Sequence, residues 1–201
     1  VRIMTHHDVR SVLLVGSEDA RFSWSNVIER AVLGTGARVV ASGLGPEITV
    51  EGPRVICDGR ALPFPENSFD LVVSNAVIEH VGDMSDQQRF VDEHHRVGRM
   101  FIVTTPNRWF PVESHRRVLF RHWSARWRSE QGDAFSRLLS RRELQALLPP
   151  TASVRGRAWS PTFFAVDHKP RRAAPDAGSR SPERPKARAR TGRSRRGGPV
   201  G

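Results

Sequence analysis

Residues 55–83 read VICDGRALPFPENSFDLVVSNAVIEHVGD, and residues 99–107 close the same stretch with RMFIVTTPN. Two apolar runs, residues 69–73 and 100–103, flank the segment 83–97. Each has the length of a strand and no polar alternation, the pattern of a strand buried on both faces. Asp83 is a good N-cap, and Phe90, Val91 and Val97 recur near helical spacing behind it. A strand, a helix and a second strand joined by a crossover of this length pair in parallel in an open α/β sheet. Ligands of such sheets lie beyond the carboxyl ends of the strands. Here those ends are Ser74 and Asn75 on one strand, and Thr104 to Asn107 on the next.

Working outward, residues 11–16 (SVLLVG) form a first buried strand that ends in glycine. Residues 23–33 have helical spacing in Val27, Ile28, Ala31 and Val32, and Gly34 and Gly36 stop the helix. Residues 37–41 are a second strand, followed by a loop over 42–46, and residues 54–57 a brief third strand. The alternation predicts a doubly wound α/β fold. After Asn107 the texture changes. Residues 108–120 read as a polar-aromatic loop, and residues 119–128 as a helix with Trp123 and Trp127 on one face. Residues 140–148 are a short helix with a capping box formed by Ser140 and Glu143, stopped by Pro149 and Pro150. Residues 153–159 and 162–167 predict two strands joined at Ser160 and Pro161.

Charge is distributed unevenly over the 201 residues. The net charge is +11, and residues 169–201 hold eleven Lys or Arg against Asp176 and Glu183, leaving only +2 for residues 1–168. The last segment is rich in Pro, Ala, Gly and Ser and poor in large apolar residues, so a folded unit over 1–168 and a disordered basic tail over 169–201 are expected. Such a tail attracts polyanions weakly and without sequence preference. A single cysteine, Cys57, excludes an internal disulfide. No apolar run is long enough to span a bilayer and no signal-peptide pattern is present, so a cytoplasmic protein is expected.

Asp58, the run Ala61-Leu62-Pro63-Phe64-Pro65, and residues 68–81 (SFDLVVSNAVIEHV) resemble class I S-adenosylmethionine-dependent methyltransferases of the methyltransferase-11 type. Residues 105–115 (TPNRWFPVESH) resemble a subset of that family with such a loop after the central sheet. The resemblance implies a Rossmann-like, mostly parallel seven-stranded sheet with a C-terminal antiparallel hairpin. It implies S-adenosyl-L-methionine as cofactor, held by Gly16 and Ser17 at the first turn, by Asp58 and Gly59 at the adenine end, and by Ser74 and Asn75 at the methionyl end. An ionised carboxylate only accepts hydrogen bonds, which suits an exocyclic amine. Backbone N–H groups at the first turn suit a carboxylate. Substrate-side candidates are His80, Asn107, Glu113 and His115.

The chain also departs from the family. Leu14 stands at its acidic position, Glu18 and Ala20 where glycines usually stand, and Gly43 in place of the ribose-binding acid, with Glu47 further along as a substitute. Three readings follow: a methyltransferase for a small-molecule or glycan-type acceptor, a non-catalytic protein of the same fold with an eroded cofactor loop, and a nucleic-acid-associated protein driven by its tail. Glu79 and His80 fit loop fixation better than acid–base chemistry. Adjacent His94 and His95 point apart on a helix, and His115 and His122 lack further ligands, so a metal site is not expected. Cys57 reads as an inert strand-end thiol.

Overall fold

The computed structural model describes residues 4, 6–17, 27–45, 52–113, 118–124, 126, 130 and 136–169, Glu113 through its backbone alone. In chain order the elements are β1 (Ser11–Val15), α1 (Val27–Leu33), β2 (Arg38–Gly43), β3 (Arg54–Ile56), β4 (Phe69–Asn75), α2 (Met84–Val97), β5 (Gly98–Pro106), the two-residue strands β6 (Val112–Glu113) and β7 (Val118–Leu119), α3 (Arg141–Leu147), β8 (Ser153–Arg155) and β9 (Thr162–His168). Seven strands form one sheet in the order β3-β2-β1-β4-β5-β9-β8. The first five are parallel, while β9 runs antiparallel to both β5 and β8.

The central strands are continuous apolar runs because both faces of the sheet are covered. Successive side chains alternate between two layers. Leu13, Val15, Val72, Phe101 and Val103 face the layer that takes Phe90, Val91 and Val97 of α2 and Leu144 of α3. Val12, Leu14, Leu71, Val73 and Met100 face the other, with Val32 of α1. Leu14 is 1% exposed in that second layer. A carboxylate at this position would need a partner that these neighbours do not offer.

The ends of α2 and α3 are set by side chains. Asp83 accepts the Asp86 N–H at 2.9 Å. At α3, Ser140 and Glu143 exchange bonds, Glu143 N–H to Ser140 Oγ at 3.2 Å and Ser140 N–H to Glu143 Oε2 at 2.8 Å. Such a cap contributes about 1 kcal/mol.

Several boundaries differ from the sequence expectation. β4 and β5 run past their apolar cores, because the backbones of Ser74, Asn75 and Thr104 to Pro106 stay paired with neighbouring strands. Ser42 and Gly43 belong to β2 rather than to a loop. The helix expected over 119–128 does not begin at its first residues: Leu119 lies in β7, Phe120 takes a left-handed φ of 59° and Arg121–Trp123 form a 3-10 turn, while Arg126 is helical and residues 125 and 127–129 lie outside the described residues. β8 stops at Arg155 because the next residue, Gly156, has φ 113°, which leaves Trp159 in a turn. Residues 23–26, Trp127 and the tail from 170 onward lie outside the described residues.

His94 gives the fold a pH dependence. It is fully buried against Phe90, with ring centroids 4.1 Å apart, and its Nδ1–H donates to the Phe90 carbonyl at 2.7 Å. Burial outweighs that bond and lowers its pKa from 6.5 to about 4. The unfolded chain therefore takes up a proton that the folded chain refuses between these values, so stability falls as pH drops from 6.5 towards 4. The loss amounts to roughly 3 kcal/mol. Urea midpoints across this range should decline in the wild type and flatten in His94→Phe; equal slopes would assign the acid sensitivity to other groups.

Candidate functional site

The strand order reverses direction between β1 and β4, which opens a crevice beyond their carboxyl ends. Gly16 and Ser17 leave β1 on one side, and Asn75, Ala76 and Val77 leave β4 on the other. Gly16 has φ 76°, and a Cβ placed on it would lie 2.5 Å from Val77 Cγ2. The two walls of the crevice thus touch at a point where only glycine fits. Across from it, Ala76 holds φ 55°, unusual for a residue with a side chain. Its N–H is fixed by the Thr104 carbonyl and hydroxyl, each at 3.1 Å. The same hydroxyl donates to Asn75 Oδ1 at 2.6 Å. Ser74, one residue earlier, is 1% exposed, and its Oγ has no hydrogen-bond partner.

At the first turn the N–H groups of Gly16 and Ser17 both donate to the Ser42 carbonyl, at 2.8 and 3.0 Å. Ser17 Oγ also points inward, 3.4 Å from Glu29 Oε1 on α1. Residues 18–20 lie outside the described residues.

Asp58 follows β3 and stands at the same end of the sheet. Its carboxylate is held by Arg60: Oδ1 accepts the Arg60 N–H at 2.8 Å and Nε–H at 3.0 Å, and Oδ2 accepts Nη2–H at 2.6 Å. Arg60 keeps the Asp58 carboxyl below the usual carboxylate range. The same guanidinium reaches Asp86 at 2.9 Å, and Asp86 also takes Arg89 at 2.5 Å. Gly59 permits a close approach here, since a Cβ would meet Phe90 at 2.5 Å and Val15 at 3.0 Å. Cys57, half-buried beside it, has its thiol pKa raised by burial.

Of the substrate-side candidates, Asn107 is bonded within the chain. It is 2% exposed; its amide donates to the Ala158 and Ser160 carbonyls at 2.8 and 2.9 Å, and its Oδ1 accepts the Trp109 N–H at 2.9 Å. Those bonds fasten the end of β5 to the β8–β9 turn and leave little of the amide for a ligand. His80 is exposed, with Nδ1 3.0 Å from Ser136 Oγ. Glu79 beside it is buried, and its Oε2 accepts from Thr105 Oγ1 at 3.1 Å. The Glu113 side chain and His115 lie outside the described residues. His94 is buried while His95 turns to Asp167 at 2.7 Å, so the pair does point apart. Among the described residues no group of three His, Cys, Asp or Glu side chains is placed to hold a metal ion. No helix among them is long and apolar enough to cross a membrane.

Arg60 and Ala76 were not singled out from the sequence, and Thr104 entered the reading only as the end of a strand. Arg60 carried a faint signal, because a residue two beyond an aspartate in a Gly-containing turn often binds its carboxylate. The left-handed backbone at Ala76 carried none.

A family model described as a methyltransferase domain matches residues 34–100. A 50-residue segment, 23% of this chain, is 50% identical to a protein of Mycolicibacterium smegmatis named as a probable S-adenosylmethionine-dependent methyltransferase. That match spans 18% of the curated relative's length. Among solved structures, a methyltransferase from Methanosarcina mazei superimposes with TM-score 0.57 at 13% identity, covering 84% of this chain and 98% of that one. One from Archaeoglobus fulgidus gives 0.55 at 10% identity, covering 84% and 90%. The fold is that of the class I S-adenosylmethionine-dependent methyltransferases, with its sequence signature centred on β4.

Proposed function

We propose that this chain, a protein of the class I methyltransferase fold, moves a methyl group from S-adenosylmethionine to a small-molecule or glycan-type acceptor. The observation that supports this reading most is the crevice between β1 and β4, walled by Gly16 and by the strained Ala76, with an acceptor-only carboxylate at Asp58 on the same sheet edge. Backbone strain kept at such a point is a common mark of a working site.

The residues present fit the adenosyl half of the cofactor better than the methionyl half. Asp58 offers a carboxylate to the exocyclic amine once Arg60 gives up part of its hold. Asn75, steadied by Thr104, lines the methionyl end beside the orphaned Ser74 hydroxyl. When bound, S-adenosylmethionine supplies an electrophilic methyl on a sulfonium. The chain's part is to align an acceptor with it and to exclude water. A dedicated base is needed only for a reluctant nucleophile, and exposed His80, in the turn after β4, is the group proposed for it. We place the folded unit at residues 1–168, with 169–201 as a basic tail that holds polyanions weakly.

Titration of the full chain with S-adenosylmethionine and S-adenosylhomocysteine, followed by calorimetry, tests the reading. Saturable binding near micromolar, about −8 kcal/mol, is expected. Silence from a folded sample would favour the non-catalytic protein. In the same titration Glu18→Gly should tighten binding about threefold or more, and less so in high salt, because the substitution removes a carboxylate from beside the cofactor's own. Unchanged affinity at low salt would place Glu18 away from the ligand.

A further inference from the structure

We propose that the face following β5, built on Trp109, Val112, Leu119, Phe120 and Trp123, docks on an anionic bilayer surface. Among the described residues these five large apolar side chains are all exposed and fall within fifteen positions. Trp109, Leu119 and Phe120 are 55%, 57% and 48% exposed. They form one assembly rather than scattered side chains. Phe120 and Trp123 have ring centroids 4.9 Å apart, and Trp109 and Trp123 6.3 Å. The β6–β7 pairing sets Val112 opposite Leu119, and the Phe120 N–H closes the hairpin on the Pro111 carbonyl at 2.8 Å. Trp123 Nε1–H donates to the Arg108 carbonyl at 3.1 Å, which ties the assembly to the end of β5.

An apolar patch on an otherwise charged surface marks an interaction site, and its surroundings identify the partner. Over residues 108–128 the described cations are Arg108, Arg121 and Arg126, of which Arg108 pairs with Glu143 at 3.2 Å and Arg126 with Glu130 at 3.0 Å. The Arg108 guanidinium lies 5.2 Å from the Trp109 ring centre. Indoles settle where hydrocarbon meets water, and guanidinium groups pair with phosphate oxygens. Rings and arginines alone would also suit a single-stranded nucleic acid. Exposed Val112 and Leu119 decide between the two, since aliphatic side chains gain from acyl chains and nothing from a phosphodiester backbone. Anionic headgroups supply the complementary charge. Docked this way, the crevice end of β5 faces the lipid surface, and the acceptor would be an amphiphile drawn from it. That last step rests on the proposed methyl transfer; the docking itself does not.

Flotation of the full chain with vesicles, without cofactor, keeps the two apart. Vesicles of phosphatidylcholine with about 30% phosphatidylserine should carry the protein up and shift its tryptophan emission to the blue, and pure phosphatidylcholine should not. The double variant Trp109→Ser/Leu119→Ser should lower partition by about tenfold or more. It retains the basic tail, so the difference reports the patch. Arg121→Glu, which leaves the apolar side chains in place, should also weaken binding and covers the event that the double variant unfolds. Equal partition of wild type and both variants would overturn the proposal in favour of adsorption by the tail. So would tight binding of a single-stranded oligonucleotide that the double variant loses.

Discussion

Gly16→Ala should unfold the domain more readily than any other single-methyl addition in the crevice. The new Cβ would sit 2.5 Å from Val77 Cγ2 and 2.8 Å from Cγ1, on a backbone with φ 76°. The left-handed conformation costs about 1–2 kcal/mol once a side chain is present, and the forced contact about 1–3 kcal/mol more. A loss of roughly 2–5 kcal/mol should appear in the urea midpoint. Adding Val77→Ala removes the contact but not the backbone cost, so it should restore part of the loss. Full restoration would show that the left-handed turn costs nothing, and none at all would show that the two walls never touch.

The second large effect concerns Asp58 and Arg60, and it has opposite signs at the two residues. Asp58→Ala should weaken S-adenosylmethionine binding by about tenfold or more, the cost of losing a charge-assisted hydrogen bond. Arg60→Gln should strengthen it several-fold, because Arg60 now fills the acceptor positions that the ligand's amine needs. Asp86 offers the displaced guanidinium a second carboxylate at 2.9 Å, so the wild type loses only part of the ion-pair energy on binding. The pair is half-exposed, which keeps the competition small. Calorimetry of both variants at one salt concentration decides the matter. Weaker binding by Arg60→Gln would make Arg60 a support of the carboxylate rather than its rival.

The strands were legible because burial on both faces writes itself as unbroken apolar runs, and the caps at Asp83 and Ser140 because a single side chain makes each. The polar ends of β4 and β5 were hidden, since their ladder is held by neighbouring strands and not by their own side chains. The spacing of Trp123 and Trp127 suggested one helix from 119, yet the left-handed turn at Phe120 and the Trp123 hydrogen bond to the Arg108 carbonyl give residues 119–124 another shape. At the site, residue type and strand ends drew attention to Asp58 and Asn75, and the structure puts both at the carboxyl end of the sheet. They gave no hint of the partners of Asn107, Ala158 and Ser160, which lie some fifty positions away. Nor did they show that the N–H groups of Gly16 and Ser17 bond a carbonyl of another strand. Such bonds are made by tertiary neighbours, and a local reading has no access to them.

The placement of β9 between β5 and β8 bears on how the chain reaches its fold. The strand that closes the sheet against β5, with Met100 opposite His168, is the last element in sequence and must travel back over some sixty residues. Pairings this distant slow a folding reaction. Until they form, the long apolar edge of β5, with Phe101, Ile102 and Val103, is a template for any other strand at hand. A folding intermediate of this protein is therefore most at risk of aggregation at β5, and variants that weaken the Phe163 and Ala165 contacts should lower refolding yield before they lower the stability of molecules already folded.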